Sequence, residues 1–175
     1  MADIVELILA DHRRIRRLLN AVEDAARYSR QPGVSCLPAV WRRLAELLGQ
    51  HAEATHEIFY PALCWHRAGN AAEAEEAAAD LADIQEAIRE CELDSIASAR
   101  WWRAEAAAAR LTREHIAREE RGLLAALVQT ATPQLREQVG RQWTAFIIAR
   151  MRDAGAEGAD GTPTVGSGPR VSARI

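Results

Sequence analysis

Apolar residues recur at three- and four-residue steps along nearly all of the first 153 residues, and that spacing restricts the chain to amphipathic helices. Ile4, Ile8, Ile15, Leu19 and Val22 make one stripe, and Val40, Leu44, Leu47, Ile58 and Ala62 a second. Leu81 and Ile88 mark a third segment; Trp101, Leu111 and Leu124 mark a fourth. Composition closes the alternative of a sheet. Alanine supplies 36 of the 175 residues and all 22 basic residues are arginine, both good helix formers, while β-branched residues are few.

Breaks at Gln31-Pro32-Gly33, Gly69-Asn70, 95–98 and Thr132-Pro133 delimit five helical segments, at about 3–28, 38–66, 71–92, 98–128 and 132–153. Ser98 and Thr132 are cap residues in type, and Pro38 and Pro133 suit first turns. The expected fold is all-α: an up-down-up-down antiparallel four-helix bundle, with an additional C-terminal helix outside it or across one end, in a single domain over 1–153. From Ala154 the chain turns to Gly, Pro and Ser without periodicity, so 154–175 is expected to be a disordered tail.

The net charge of −3 carries no basic excess, which argues against nucleic acid as a partner. Arg13, Arg14, Arg16 and Arg17 then read as a solvated helix face. No apolar run approaches the ~20 residues of a membrane span, and the opening MADIVELILADHRR lacks a basic leader region, so neither membrane nor export is expected. Cys36, Cys64 and Cys91 are odd in number and contain no CxxC, as reduced thiols of a cytoplasmic protein would be. Phosphate-binding loops and nucleophile elbows are missing from the sequence.

The informative residues are those that interrupt the stripes. His12 falls four residues after Ile8 and three before Ile15. His51 and Thr55 follow Leu47 at four-residue steps. His115 and Glu119 follow Leu111 in the same way, and Gln85 lies four after Leu81. Residues at one level of an antiparallel hairpin are equidistant from its turn, so levels can be compared by midpoints. His12 and His51 are centred on 31.5 and His51 and Gln85 on 68, both at breaks; Gln85 and His115 centre on 100, just past the break at 95–98. Three imidazoles and a carboxylate in one buried layer are costly unless each is hydrogen-bonded, charge-paired or metal-bound. A metal is the economical explanation, and nitrogen with carboxylate oxygen suits iron, zinc, copper or manganese.

These residues also resemble a known family. His12 in DHRRIRRLL, His51 in HAEATHEIFYPAL, and His115 with Glu119 in HIAREERGLL are similar to elements of the hemerythrin-like, or HHE cation-binding, pattern over about 3–128. That pattern places His on helix one, His-x-x-x-Glu on helix two, His on helix three and His-x-x-x-Glu on helix four. The resemblance implies a non-haem di-iron centre with an open position for dioxygen, peroxide or nitric oxide. Its role would be that of carrier, sensor, or catalase-like or oxidase enzyme. Two positions depart from the pattern: Thr55 stands where helix two has its carboxylate, and Gln85 where helix three has its His. A mononuclear site, another divalent metal, or a metal-free bundle working through protein contacts are the alternatives they open. His56 would become a ligand if a bulge before Pro61 turned it inward, and Glu120 stands second to Glu119.

Overall fold

The computed structural model describes residues 2–28, 36–65 and 71–159, and among these every regular element is helical. The first stripe produces α1 (Ile4–Tyr28), on which Ile4, Ile8, Ile15, Leu19 and Val22 are all buried. The second produces one rod in three parts: α2 (Leu37–Ala54), a π turn (Thr55–Phe59) and α3 (Tyr60–Trp65). Next comes α4 (Ala71–Glu92), then α5 (Ala99–Arg121) and α6 (Leu123–Thr130), separated by Gly122 alone, and finally α7 (Pro133–Ala159). The last helix thus runs past the expected end at Asp153. The proposed breaks at Gln31–Gly33 and Gly69-Asn70, His66, and positions 160–175 lie outside the described residues.

Four rods form a ring in which α1 adjoins α2, α2 adjoins α4, α4 adjoins α5 and α5 returns to α1. Their ion pairs display the antiparallel sense. Positions 12, 16 and 23 of α1 meet 119, 120 and 113 of α5, and the residues 80 and 94 on the α4 side meet 118 and 100 on α5. The caps act as their residue types suggest: Ser98 Oγ accepts from the Trp101 amide at 3.0 Å, and Thr132 Oγ1 from the Leu135 amide at 3.3 Å. Beside the α4–α5 turn, fully buried Trp101 meets Trp41 and half-buried Trp102 edge to face, with centroids 5.2 and 4.6 Å away.

Two local features position the site. Pro61 has no amide to bond back to Glu57, and the helix responds with a wide turn in which the Tyr60 amide bonds to the Thr55 carbonyl five residues earlier. That extra residue lets Thr55 and Tyr60, five apart, both face the core. The second feature is α7, which packs along α1, α2 and the π turn and buries Val139 and Trp143. Its Gly140 passes so close to the N-terminal segment that a Cβ there would stand 2.2 Å from the Ala2 carbonyl oxygen.

Candidate metal centre

His12, His51, His115 and Glu119 are each at most 2% exposed, so these four of the polar residues that interrupt the stripes face the core. His12 is the most firmly held. Its Nδ1 lies 3.0 Å from Glu120 Oε1, while the Arg16 guanidinium grips both Glu120 oxygens at 2.8 and 2.9 Å. The Arg16 hydrogen bonds, joined by the one from His12, hold the Glu120 carboxyl below the usual carboxylate range despite partial burial. An ionised carboxylate only accepts, so His12 Nδ1 is the donor; in the neutral ring the other nitrogen, Nε2, then carries a lone pair. That Nε2 lies 3.0 Å from Glu119 Oε2 without the alignment of a hydrogen bond. At that spacing a proton or a metal cation between the two atoms would stabilise both.

The other two imidazoles converge on the same oxygen. His51 Nε2 and His115 Nε2 each lie 3.9 Å from Glu119 Oε2, and among the described residues neither ring nitrogen of either residue has a hydrogen-bond partner. Burial pushes the His51 imidazole down to about 3, against the attraction of Glu119, so it is neutral at physiological pH. Burial likewise lowers His115, opposed by Glu119 and Asp80. Burial alone would raise Glu119, but the neighbouring imidazoles, the close His12 ring foremost, hold it below its usual value. The Tyr60 hydroxyl donates to Glu119 Oε1 at 3.2 Å, and burial next to that carboxylate pushes the phenol well above its ordinary range.

The donor atoms of His12, His51 and Glu119 all lie within 4.8 Å of one another. Atoms sharing a cation at about 2.1 Å stand roughly 3.0–3.4 Å apart. The His12–Glu119 pair is already at that spacing, and His51 and His115 are within an ångström of it. Buried orphan nitrogens around one ionised oxygen fit a transition-metal ion in chemistry and in size.

The remaining sequence candidates are placed differently. Thr55 is buried, but its hydroxyl donates to the His51 carbonyl at 2.6 Å, closing the π turn. The wide turn before Pro61 is there, yet His56 is exposed. Gln85 is half-buried beside the inward face of α4, which carries Ala77, Leu81, Ile84 and Ile88. The α4 group at the centre is Asp80, whose Oδ2 lies 3.6 Å from His115 Nδ1. Its signal was present: 80 and 115 centre on 97.5, inside the break where Gln85 missed. Tyr60 and Arg16 also escaped the sequence reading, as did Trp143 of α7, 3% exposed with its ring 5.9 Å from that of His51.

A helical bundle in which three rods bring three imidazoles around one buried carboxylate, with Asp80 of the fourth rod behind His115, is a metal-binding bundle in class. The family model of the hemerythrin HHE cation binding domain matches residues 3–127, and the chain belongs to that family. Neither a curated protein nor a solved structure matches it significantly. The matched span ends in α6, so Trp143 comes from outside it. Among the described residues no helix is long and apolar enough to cross a membrane.

Proposed function

We propose that the centre holds iron and binds or reacts with dioxygen, peroxide or nitric oxide. The observation that carries this reading is the set of unpartnered nitrogens on His12, His51 and His115 gathered around the ionised Glu119. Two histidines with one carboxylate are a ligand set suited to non-haem iron with positions left open. When bound, iron supplies redox chemistry and Lewis acidity toward small oxygen and nitrogen species.

The chain's own residues do the rest. Glu120 and Arg16 orient His12 so that its Nε2 faces inward, and Tyr60 holds one Glu119 oxygen so that the other stays free. Trp143 closes the side nearest His51 and excludes water. The donor set favours one ion per chain. A di-iron pair, which the family resemblance implies, needs a second bridging carboxylate where Thr55 instead donates to a backbone carbonyl. A cytoplasmic setting belongs to the same reading, supported by three unbridged cysteines, two of them exposed.

Elemental analysis of protein expressed with iron available tests the proposal. About one iron per chain is expected, with a marked loss in His115→Ala; two per chain would favour the di-iron alternative. Far less than one metal, unchanged by His115→Ala, would refute the reading and leave a metal-free interaction bundle standing. Adding peroxide to the iron-loaded protein then separates the roles: oxygen evolution marks a catalase-like enzyme, and new optical bands without turnover mark a carrier or sensor.

A further inference from the structure

Between α4 and the bend that separates α5 from α6 lies a cavity of about 330 Å³, lined by Glu73, Glu76, Ala77, Arg118, Glu119 and Gly122 among others. Glu73 and Glu76 are exposed, so the cavity opens to solvent at one side. Its inner wall is Glu119, fully buried and with an unpartnered Oε2. Gly122 keeps the mouth clear, because a Cβ there would stand 3.1 Å from the Arg118 carbonyl oxygen and 3.4 Å from Glu73 Oε2.

One face of α4 leads inward from this mouth. Glu73, Glu76 and Asp80 stand at i, i+3 and i+7, which stacks them along the helix toward His115. Asp80 Oδ2 is 3.6 Å from His115 Nδ1, itself buried and unpartnered. Arg118 lies across the row. Its Nη1 sits 2.7 and 2.9 Å from the two Asp80 oxygens and 3.4 Å from Glu76 Oε1. The guanidinium thus occupies, between two carboxylates, the place that a cation moving along this face would take. Its side chain is 45% exposed, so it can swing into water at modest cost.

A larger groove elsewhere on the bundle offers a cation no such path. It runs between α1, α2 and α7, and Arg14, Arg17 and Arg43 line it; among its described lining residues the one carboxylate, Asp11, is already paired to Arg14. We propose that the α4–α5 cavity is the path by which a divalent cation reaches and leaves the centre, with Glu73, Glu76 and Asp80 as successive oxygen ligands and Arg118 as the gate. The path rests on the reading that the centre binds a metal.

Cobalt(II) is the probe, because its absorption reports coordination without any catalytic turnover. Metal-free full-length protein is mixed with cobalt in a stopped-flow cell, release is followed after a chelator chase, and stoichiometry is measured at equilibrium. Arg118→Leu and Arg118→Lys should both speed uptake and release by about two- to five-fold, the size of one partly exposed ion pair, with stoichiometry unchanged. Lysine keeps the charge but replaces the planar guanidinium that lies between Asp80 and Glu76, so its faster exchange reports the gate rather than the field. Glu73→Gln should slow uptake by a similar factor. Arg121→Leu removes a charge from the same mouth without touching the Arg118 pairs, and should leave release at the wild-type rate. Full cobalt binding with unchanged rates in the Arg118 variants would overturn the path alone. No cobalt in the wild type would overturn the metal reading and the path together.

Discussion

Replacing His51 by Leu should stabilise the metal-free protein, and the gain should grow in acid. The folded imidazole is held down at about 3 against an ordinary 6.5. At pH 7 it is mostly neutral in both states, so titration contributes only about 0.2 kcal/mol there. What remains is a buried ring with two unpartnered nitrogens, which costs about 1–3 kcal/mol. Leucine has a similar volume and no polar atom, so His51→Leu should raise metal-free stability by about that amount at pH 7. Below 6.5 the unfolded chain takes up a proton that the folded one refuses, so wild-type stability falls as pH falls. At pH 5 the loss is about 2 kcal/mol, from ~1.4 kcal/mol per pH unit across the interval below 6.5. The variant lacks that loss, and its advantage should widen by the same amount. His115 is depressed in the same direction but is present in both proteins and cancels. Urea denaturation with a chelator present, at pH 7 and pH 5, measures both quantities. Saturating metal should reverse the order, because a ligand at a hundred times its dissociation constant adds about 2.7 kcal/mol to a protein that binds it. A metal-free variant less stable than wild type at pH 7, or an advantage that fails to widen at pH 5, would refute the reasoning.

Three further outcomes are expected. Glu120→Ala removes the acceptor that orients His12 at 3.0 Å and should weaken metal binding by about ten-fold or more, seen by calorimetric titration, while the metal-free fold survives. Gly140→Ala drives a methyl group to 2.2 Å from the Ala2 carbonyl oxygen and should cost about 1–3 kcal/mol in chemical denaturation. Ala97 sits in the turn before α5 with φ of 67°, a left-handed conformation that glycine adopts freely, so Ala97→Gly should stabilise by about 0.5–1 kcal/mol in the same assay.

The residues of the centre were legible to different degrees, for physical reasons. His12, His51, His115 and Glu119 sit between large apolar residues at helical steps, and burying Ile8, Ile15, Leu47 and Ile116 carries them inward with little freedom. On α4 the stripe is mostly alanine, so the apolar face is wide and its centre is poorly marked. Gln85 and Asp80 both lie beside it, and the neighbouring helix brings Asp80 to the site. Pro61 announced a wide turn. Which side chains that turn would send inward depended on the docking of Phe59 and Tyr60 against the rest of the core, which left His56 in solvent.

Sequence periodicity, caps and breaks determined five helical rods, their order and the inward facing of His12, His51, His115 and Glu119, because helical steps and the burial of apolar stripes are local rules. Only the tertiary structure decided that three imidazoles meet at one carboxylate oxygen, that Asp80 and Arg118 flank them, and that Trp143 covers the side nearest His51. Those outcomes depend on the rotation and height of one helix against another, which side-chain packing sets across distant parts of the chain.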